Sequence, residues 1–516
     1  MTSVASTTPT APTAPTPSAP TAVVRFDPQR VVGPVRPRTF GSFVEHLGRC
    51  VYTGIFEPEH PTADEAGFRR DVLDLVKELG VTSIRYPGGN FVSGYRWEDG
   101  VGPVEDRPAR LDLAWHTLEP NTFGVDEFMA WISSAGLEPI MAVNLGTRGV
   151  LEAVDLVDYC NVPGGSANAE RRRANGADDP YRIKLWCLGN EMDGPWQIGH
   201  KTAHEYGRLA AETARALRMV DPDLELVACG SSHHGMPTFG DWEREVVSEA
   251  WDVVDMVSAH AYYSERDQGL QEYLVCAEDM DAFIDDVAAT LDAVRAARKS
   301  DKEIGIAFDE WNVWYQHRVE SKKPEGDDWP VAPALLEDTY SVADAVVVGD
   351  LLITLLTHTD RVWSANLAQL VNVIAPIMTE PGGRAWKQTT FHPFALTARH
   401  ARGQVLRVDV DGPTIATTGF GEVQAVTAVA TWDAAEGAIF LVNRSVSESV
   451  TVTCAVPAGS ALVDAVTMHA DDHGWQATAD DSTSVLPVAN ESAAVVDGCL
   501  SIVLPPVSWT MARVGH

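Results

Sequence analysis

Short β-type runs alternate with amphipathic helical segments from about residue 38 to about residue 395, and this alternation constrains the fold more than any other feature. Eight runs are expected as strands, at 39–44, 81–86, 139–144, 182–188, 224–229, 253–260, 303–308 and 361–366. Between them, 71–79, 125–135, 202–220, 279–299 and 340–357 carry apolar residues at three- and four-residue spacing, the period of a helix with one buried face. Gly80 and Gly136 stand where the first two should stop, because glycine enters the left-handed conformation that ends a helix. Strands alternating with helices predict a parallel sheet, and eight of them predict an α/β fold of the (β/α)8 TIM-barrel type. A doubly wound open sheet would show fewer strands and a glycine-rich phosphate turn, and no such turn occurs. The apolar stretch 351–356 reads as part of a buried helix.

The helical period is lost after about residue 395, where short β-branched runs at 437–442, 450–456 and 500–504 are separated by turn residues. The expected organisation is a disordered Pro/Thr/Ala-rich tail over 1–22, a strand segment over 23–37 that joins the later β-domain, a barrel over 38–394, and a C-terminal all-β sandwich, jelly-roll-like, over 395–516. Seven scattered cysteines with no C-x-x-C pair point to reduced thiols and a cytoplasmic chain. No apolar run reaches membrane-spanning length. The formal charge of −34 repels polyanions, so nucleic acid and anionic membranes are not expected partners. A neutral ligand is unaffected.

In a barrel of this kind, chemistry gathers where strands run into loops. The fourth run ends Leu185-Trp-Cys-Leu-Gly-Asn190-Glu191, and the seventh ends Ile306-Ala-Phe-Asp-Glu310-Trp-Asn312. A lone glutamate at such a place is as readily a helix cap or an arginine partner. Two of them, across one barrel mouth, are what glycoside hydrolysis needs: one donates a proton, the other attacks the anomeric carbon or activates water. The other strand ends are also polar: Glu45 and Arg49 after the first, Arg85 and Asn90 around Gly88-Gly89 after the second, His260 and Tyr262 at the sixth, Asn366 and Gln369 at the eighth. Trp97, Trp115, Trp311 and Trp314 fall in segments suited to pack on sugar C–H faces, although any single tryptophan is more often core. His46, His60, His200, His260 and the His233-His234 pair lack metal-ligand spacing, so no metal is expected. The arginines at 171–173 read as a solvated loop face.

Four segments resemble the α-L-arabinofuranosidases of glycoside hydrolase family 51: Phe43-Val-Glu-His-Leu-Gly-Arg49, Arg85-Tyr-Pro-Gly-Gly-Asn-Phe-Val-Ser-Gly-Tyr95, Leu188-Gly-Asn-Glu-Met-Asp-Gly194 and Phe308-Asp-Glu-Trp-Asn-Val-Trp314. The resemblance runs from about residue 25 to the C-terminus. It implies a retaining exo-enzyme that removes terminal, non-reducing arabinofuranosyl groups from arabinoxylan or arabinan chains. It implies Glu191 as acid/base and Glu310 as nucleophile. It implies arabinose contacts from Glu45, Asn90, Asn190, Tyr262 and Gln369, in a pocket also lined by Arg85, Trp115, His260 and Trp314. Members are commonly intracellular and often hexameric, with no metal or organic cofactor. Rival readings are a retaining β-xylosidase or endo-glucanase on the same barrel, a non-catalytic sugar-binding protein, and a structural or assembly protein.

Overall fold

The structure is a computed structural model that describes residues 20–265, 268–316, 322–434 and 436–515. Most of the expected N-terminal tail lies outside the described residues. The expected barrel is present. Its strands are β1 (Gly41–Phe43), β2 (Ser83–Tyr86), β3 (Glu138–Ala142), β4 (Leu185–Leu188), β5 (Glu225–Ala228), β6 (Met256–Tyr263), β7 (Gly305–Val313) and β8 (Val362–Leu367). They pair in parallel in chain order and close between β8 and β1. All eight begin or end within a few residues of the sequence expectation, but β6 and β7 run further toward the mouth.

The helix ends follow local chemistry. Arg70–Leu79 and Val125–Ala135 stop at Gly80 and Gly136, with φ of 78° and 74°. Ala203–Val220 starts at a capping box, in which Thr202 Oγ1 accepts from Glu205 N and Glu205 reaches back to Thr202 N. Arg171–Arg173 correct the sequence reading, because they lie on the helix Ala167–Ala174 and not in a loop. Arg172 there is fully buried and donates to the carbonyls of Tyr159, Val162 and Ala177. A guanidinium with five donors can satisfy several loop carbonyls at once, which the run of like charges did not reveal.

The second layer is a ten-stranded sheet that folds over one apolar core, including Leu406, Ile439, Val452, Ile502 and Ala512. The strand Thr21–Pro34 sits inside this sheet, antiparallel to Gln404–Asp411 and parallel to Val450–Ala455. Helical structure persists to His400, in the helix Phe391–His400, slightly beyond the point where the sequence period fades. The helix Val342–Thr357, buried along nearly its whole length, is wedged between barrel and sheet. Its Asp350 meets Arg444 of the sheet domain at 2.7 Å, a buried pair that fixes one domain on the other. All seven cysteines are free thiols. Among the described residues, no helix is long and apolar enough to cross a membrane.

Candidate active site

The carboxyl ends of the barrel strands converge on one small pocket lined by Glu45, Asn90, Trp115, Glu191, Tyr262, Glu310, Trp314 and Gln369. Each side chain is placed by a local device. After β4, Gly189 turns the chain at φ 95°, and Glu191 follows in the left-handed region at φ 45°. A non-glycine residue there is strained, which is tolerated where the surrounding structure fixes the side chain for a task. In β7 the register against β6 slips between Ala307 and Glu310, with Phe308 and Asp309 facing the single residue Ala259. A regular strand points neighbouring side chains to opposite faces; the bulge lets Asp309 and Glu310 address the same groups.

Arg85 is the hub. Its Nη1 donates to Glu310 Oε1 at 2.8 Å, its Nη2 to Asn190 Oδ1 at 2.8 Å, and its Nε lies 3.2 Å from Asp309 Oδ2. Tyr262 donates its hydroxyl to Glu310 Oε2 at 2.7 Å, so both oxygens of that carboxylate are held. Trp314 packs edge-on against Tyr262. On the facing side, Trp196 Nε1 donates to Glu191 Oε2 at 2.7 Å, and His260 Nδ1 lies 3.0 Å from Glu191 Oε1. His260 Nε2 lies 3.1 Å from Asp309 Oδ1. Burial works against a charged imidazole, but the Glu310 charge and the hydrogen bonds with Asp309 and Glu191 hold the His260 pKa well above its ordinary value. Burial would raise Asp309, yet Arg85 and His260 pull it below the usual carboxylate range. Nearest donor atoms of Glu191, His260 and Glu310 all lie within 4.8 Å of one another. A cation could bridge such a trio; here Arg85 and the imidazolium already supply positive charge.

Glu45 forms the other wall. It accepts from Phe91 N at 2.9 Å, Trp115 Nε1 at 3.0 Å and Gln369 Nε2 at 3.0 Å. The Gly88-Gly89 pair is needed here: a Cβ on either would come within 2.6 Å of the Glu45 side chain. Asn190 Nδ2 donates to Asn90 Oδ1 at 3.2 Å, and Gln369 Oε1 is buried with no partner among the described residues, open to a ligand hydroxyl. Burial outweighs the hydrogen bonds and pushes Glu45 up to about 8. Asp112, whose oxygens accept from Ala114 N and Trp115 N and so fix the Trp115 turn, is raised by burial to about 7.

These raised carboxyls make stability fall with pH. Glu45 has an ordinary value of 4.5, so between there and about 8 the folded state holds a proton that the unfolded state releases. The stability this contributes is complete below the lower value and is lost as pH rises through the upper one. Glu45→Gln removes that titration. The thermal midpoint of the variant should therefore drop less between about pH 5 and pH 9 than that of the unaltered protein. Equal drops would mean that Glu45 does not titrate in this window.

The structure thus brings all eleven expected site residues together: Glu45, Arg85, Asn90, Trp115, Asn190, Glu191, His260, Tyr262, Glu310, Trp314 and Gln369 line the pocket or touch its carboxylates. Two expected sugar platforms are elsewhere. Trp97 is buried against Tyr159, and Trp311 is buried against Phe394. The other histidines do not join the pocket: His46 bonds Glu119 and Tyr86, His60 bonds a loop carbonyl, and His234 sits between Asp279 and Asp286 on the outer cleft wall. Sequence reasoning missed Asp309 and Trp196. Asp309 precedes Glu310 directly, but its shared orientation depends on the bulge. Trp196 follows Glu191 by five residues in a loop without periodicity.

Comparison with known proteins agrees. The family described as "Alpha-L-arabinofuranosidase 1 domain" matches residues 75–277, and "Alpha-L-arabinofuranosidase C-terminal domain" matches 309–508. The chain is 55% identical over 496 residues to an exo-alpha-(1->6)-L-arabinofuranosidase of Bifidobacterium longum, covering 94% of this chain and 95% of that protein. It is 55% identical over 498 residues to an intracellular exo-alpha-(1->5)-L-arabinofuranosidase of Streptomyces lividans, covering 94% and 74%. Among solved structures, a family 51 α-L-arabinofuranosidase from Bifidobacterium longum superposes with a TM-score of 0.93 at 49% identity, covering 97% of this chain and 100% of the other. The chain belongs to the α-L-arabinofuranosidases of glycoside hydrolase family 51.

Proposed function

We propose that the protein is a retaining, exo-acting α-L-arabinofuranosidase that releases terminal, non-reducing arabinofuranosyl groups from arabinoxylan- and arabinan-derived oligosaccharides. The observation that carries the reading is the facing of two carboxylates across one small pocket, with nearest oxygens within 4.8 Å. Retaining glycosidases hold their carboxyl groups about 5–5.5 Å apart, whereas inverting enzymes need about 6.5–9.5 Å to admit a water. The closer spacing supports double displacement.

Glu310, aimed by Arg85 and Tyr262, attacks the anomeric carbon. The bond to the leaving oxygen breaks as Glu191 gives that oxygen its proton, and an arabinosyl ester forms. In the second step Glu191 takes a proton from water, the water oxygen bonds the anomeric carbon, and Glu310 leaves as a carboxylate. Glu191 thus gives its proton in the first step and takes one back in the second, the switch from acid to base that double displacement requires. Asn190, anchored by Arg85, and Asn90 are set to bind a ring hydroxyl, while Glu45 and Gln369 hold the far side of the furanose.

Exo-action is supported by the closed end of the pocket, where Phe43, Leu47, Leu336 and Ile374 leave no path for a continuing chain. That shape disfavours an endo-glucanase. The intact glutamate pair disfavours a purely binding or structural protein. The two relatives above are named for different linkages, which supports recognition of the arabinofuranosyl unit itself. The word intracellular in one relative's name supports a cytoplasmic enzyme working on oligosaccharides. Purified protein should hydrolyse aryl α-L-arabinofuranosides and arabino-oligosaccharides, and leave aryl β-D-xylosides and β-glucan untouched. Turnover of the xyloside alone would overturn the assignment.

A further inference from the structure

The catalytic pocket opens past Trp115, Glu191 and Trp314 into a cleft of about 960 Å³. A second cavity of about 560 Å³ lies beside that cleft, and Leu113 and Ile198 are walls of both. Its size falls in the range of about 300–1,000 Å³ typical of small-ligand sites. We propose that this second cavity is a distal subsite, which takes sugar units of the leaving-group chain after it crosses the Leu113–Ile198 saddle. The inference rests on the glycosidase reading and adds a place for the part of the substrate that the catalytic pocket does not hold.

The lining suits a neutral, hydroxyl-rich chain. Leu111 and Leu113 are 53% and 56% exposed, and offer apolar surface to the C–H faces of sugar rings. Arg110 pairs with Asp99 at 2.9 Å, and Arg148 with Glu98 at 2.5 Å, so these cations are already neutralised. Arg96 differs: it is exposed on the cavity wall, and its side chain has no hydrogen bond or ion pair among the described residues. Its guanidinium presents several donors to ligand hydroxyls. An anionic ligand would also face Asp99, Glu119 and Glu152, which line the same cavity. Carboxylates accept from hydroxyls but repel an acid, so the balance favours uncharged pentose units.

The hairpin that supplies Leu111 and Leu113 is braced from the far side of the cleft. Leu118 N donates to Pro330 O at 3.1 Å, and Lys323 Nζ donates to Ala114 O at 3.1 Å. The Leu113 side of the saddle is thus tied to the facing loop. These bonds join the segment around Ala114–Leu118 to the segment around Lys323–Pro330, far apart in the chain.

The test compares kcat/KM along a series of α-linked arabino-oligosaccharides from the disaccharide to the hexasaccharide, alongside an aryl α-L-arabinofuranoside. For the unaltered protein, kcat/KM should climb with chain length and then level off. Arg96→Ala should cut the ratio of hexasaccharide to disaccharide kcat/KM by about tenfold, the weight of one hydrogen bond from a charged donor. Gly94→Trp is an independent block: Gly94 lines the cavity, and a Cβ there meets nothing within 4 Å, so the added ring enters open space. It should flatten the length dependence. A ratio that neither variant moves would overturn the distal subsite while hydrolysis itself continues. Failure of the unaltered protein on every arabinofuranoside would instead overturn the underlying reading.

Discussion

Glu310→Ala should abolish turnover on every substrate, lowering kcat by roughly 10⁴-fold or more. The size of the effect follows from what the carboxylate does. In the proposed mechanism the ester forms on Glu310, while Glu191 is held by His260 and Trp196 across the bond, and Glu45 is raised to about 8 and bound on the far wall. The loss should be the same for an activated aryl arabinofuranoside as for an oligosaccharide, since both need the anomeric carbon attacked. The measurement is steady-state kinetics on the two substrate types. Substantial residual turnover on either would remove Glu310 as nucleophile. Folding should survive, because the alanine leaves Arg85 paired with Asp309 at 3.2 Å and Asn190 at 2.8 Å.

Glu191→Ala should divide the substrates. General acid catalysis contributes about 10²–10⁴-fold, and it contributes most when the leaving group is poor. Oligosaccharides, whose leaving alcohol needs a proton, should lose nearly all of that factor in kcat/KM. A nitrophenyl arabinofuranoside releases nitrophenolate, a stable anion that needs no proton to leave, and should lose far less in the first step. Its second step still lacks a base, so the ester should accumulate and the reaction should show a burst of phenolate followed by slow turnover. Equal losses in kcat/KM on both substrate types, with no burst, would contradict the assignment of Glu191.

The barrel was legible because its evidence is periodic. Buried strands and half-buried helices repeat, and Gly80 and Gly136 mark helix ends by a backbone need that few other residues meet. The eleven residues that the structure gathers at one pocket could be singled out because strand ends of such a barrel must converge, and because four motifs resemble a known family. What stayed hidden depends on direction and not on residue type. Glu310 lies within a strand by pairing, and only the bulge against β6 turns it and Asp309 onto the same partners. Trp97 and Trp311 look as suited to sugar as Trp115 and Trp314, but they face the core. Arg172 reads as surface charge until the carbonyls around it are seen. The distal cavity is set by contacts between two loops far apart in the chain, and no local pattern encodes it.

The central proposal is that the carboxylate pair is close enough for the protein itself to bond the sugar before water does. The configuration of the first-formed product reports this directly. Proton NMR during early hydrolysis, before the free arabinose equilibrates, should show the anomer with the same configuration as the substrate. Initial appearance of the opposite anomer would mean that water attacks in a single step, and the role given to Glu310 would be wrong.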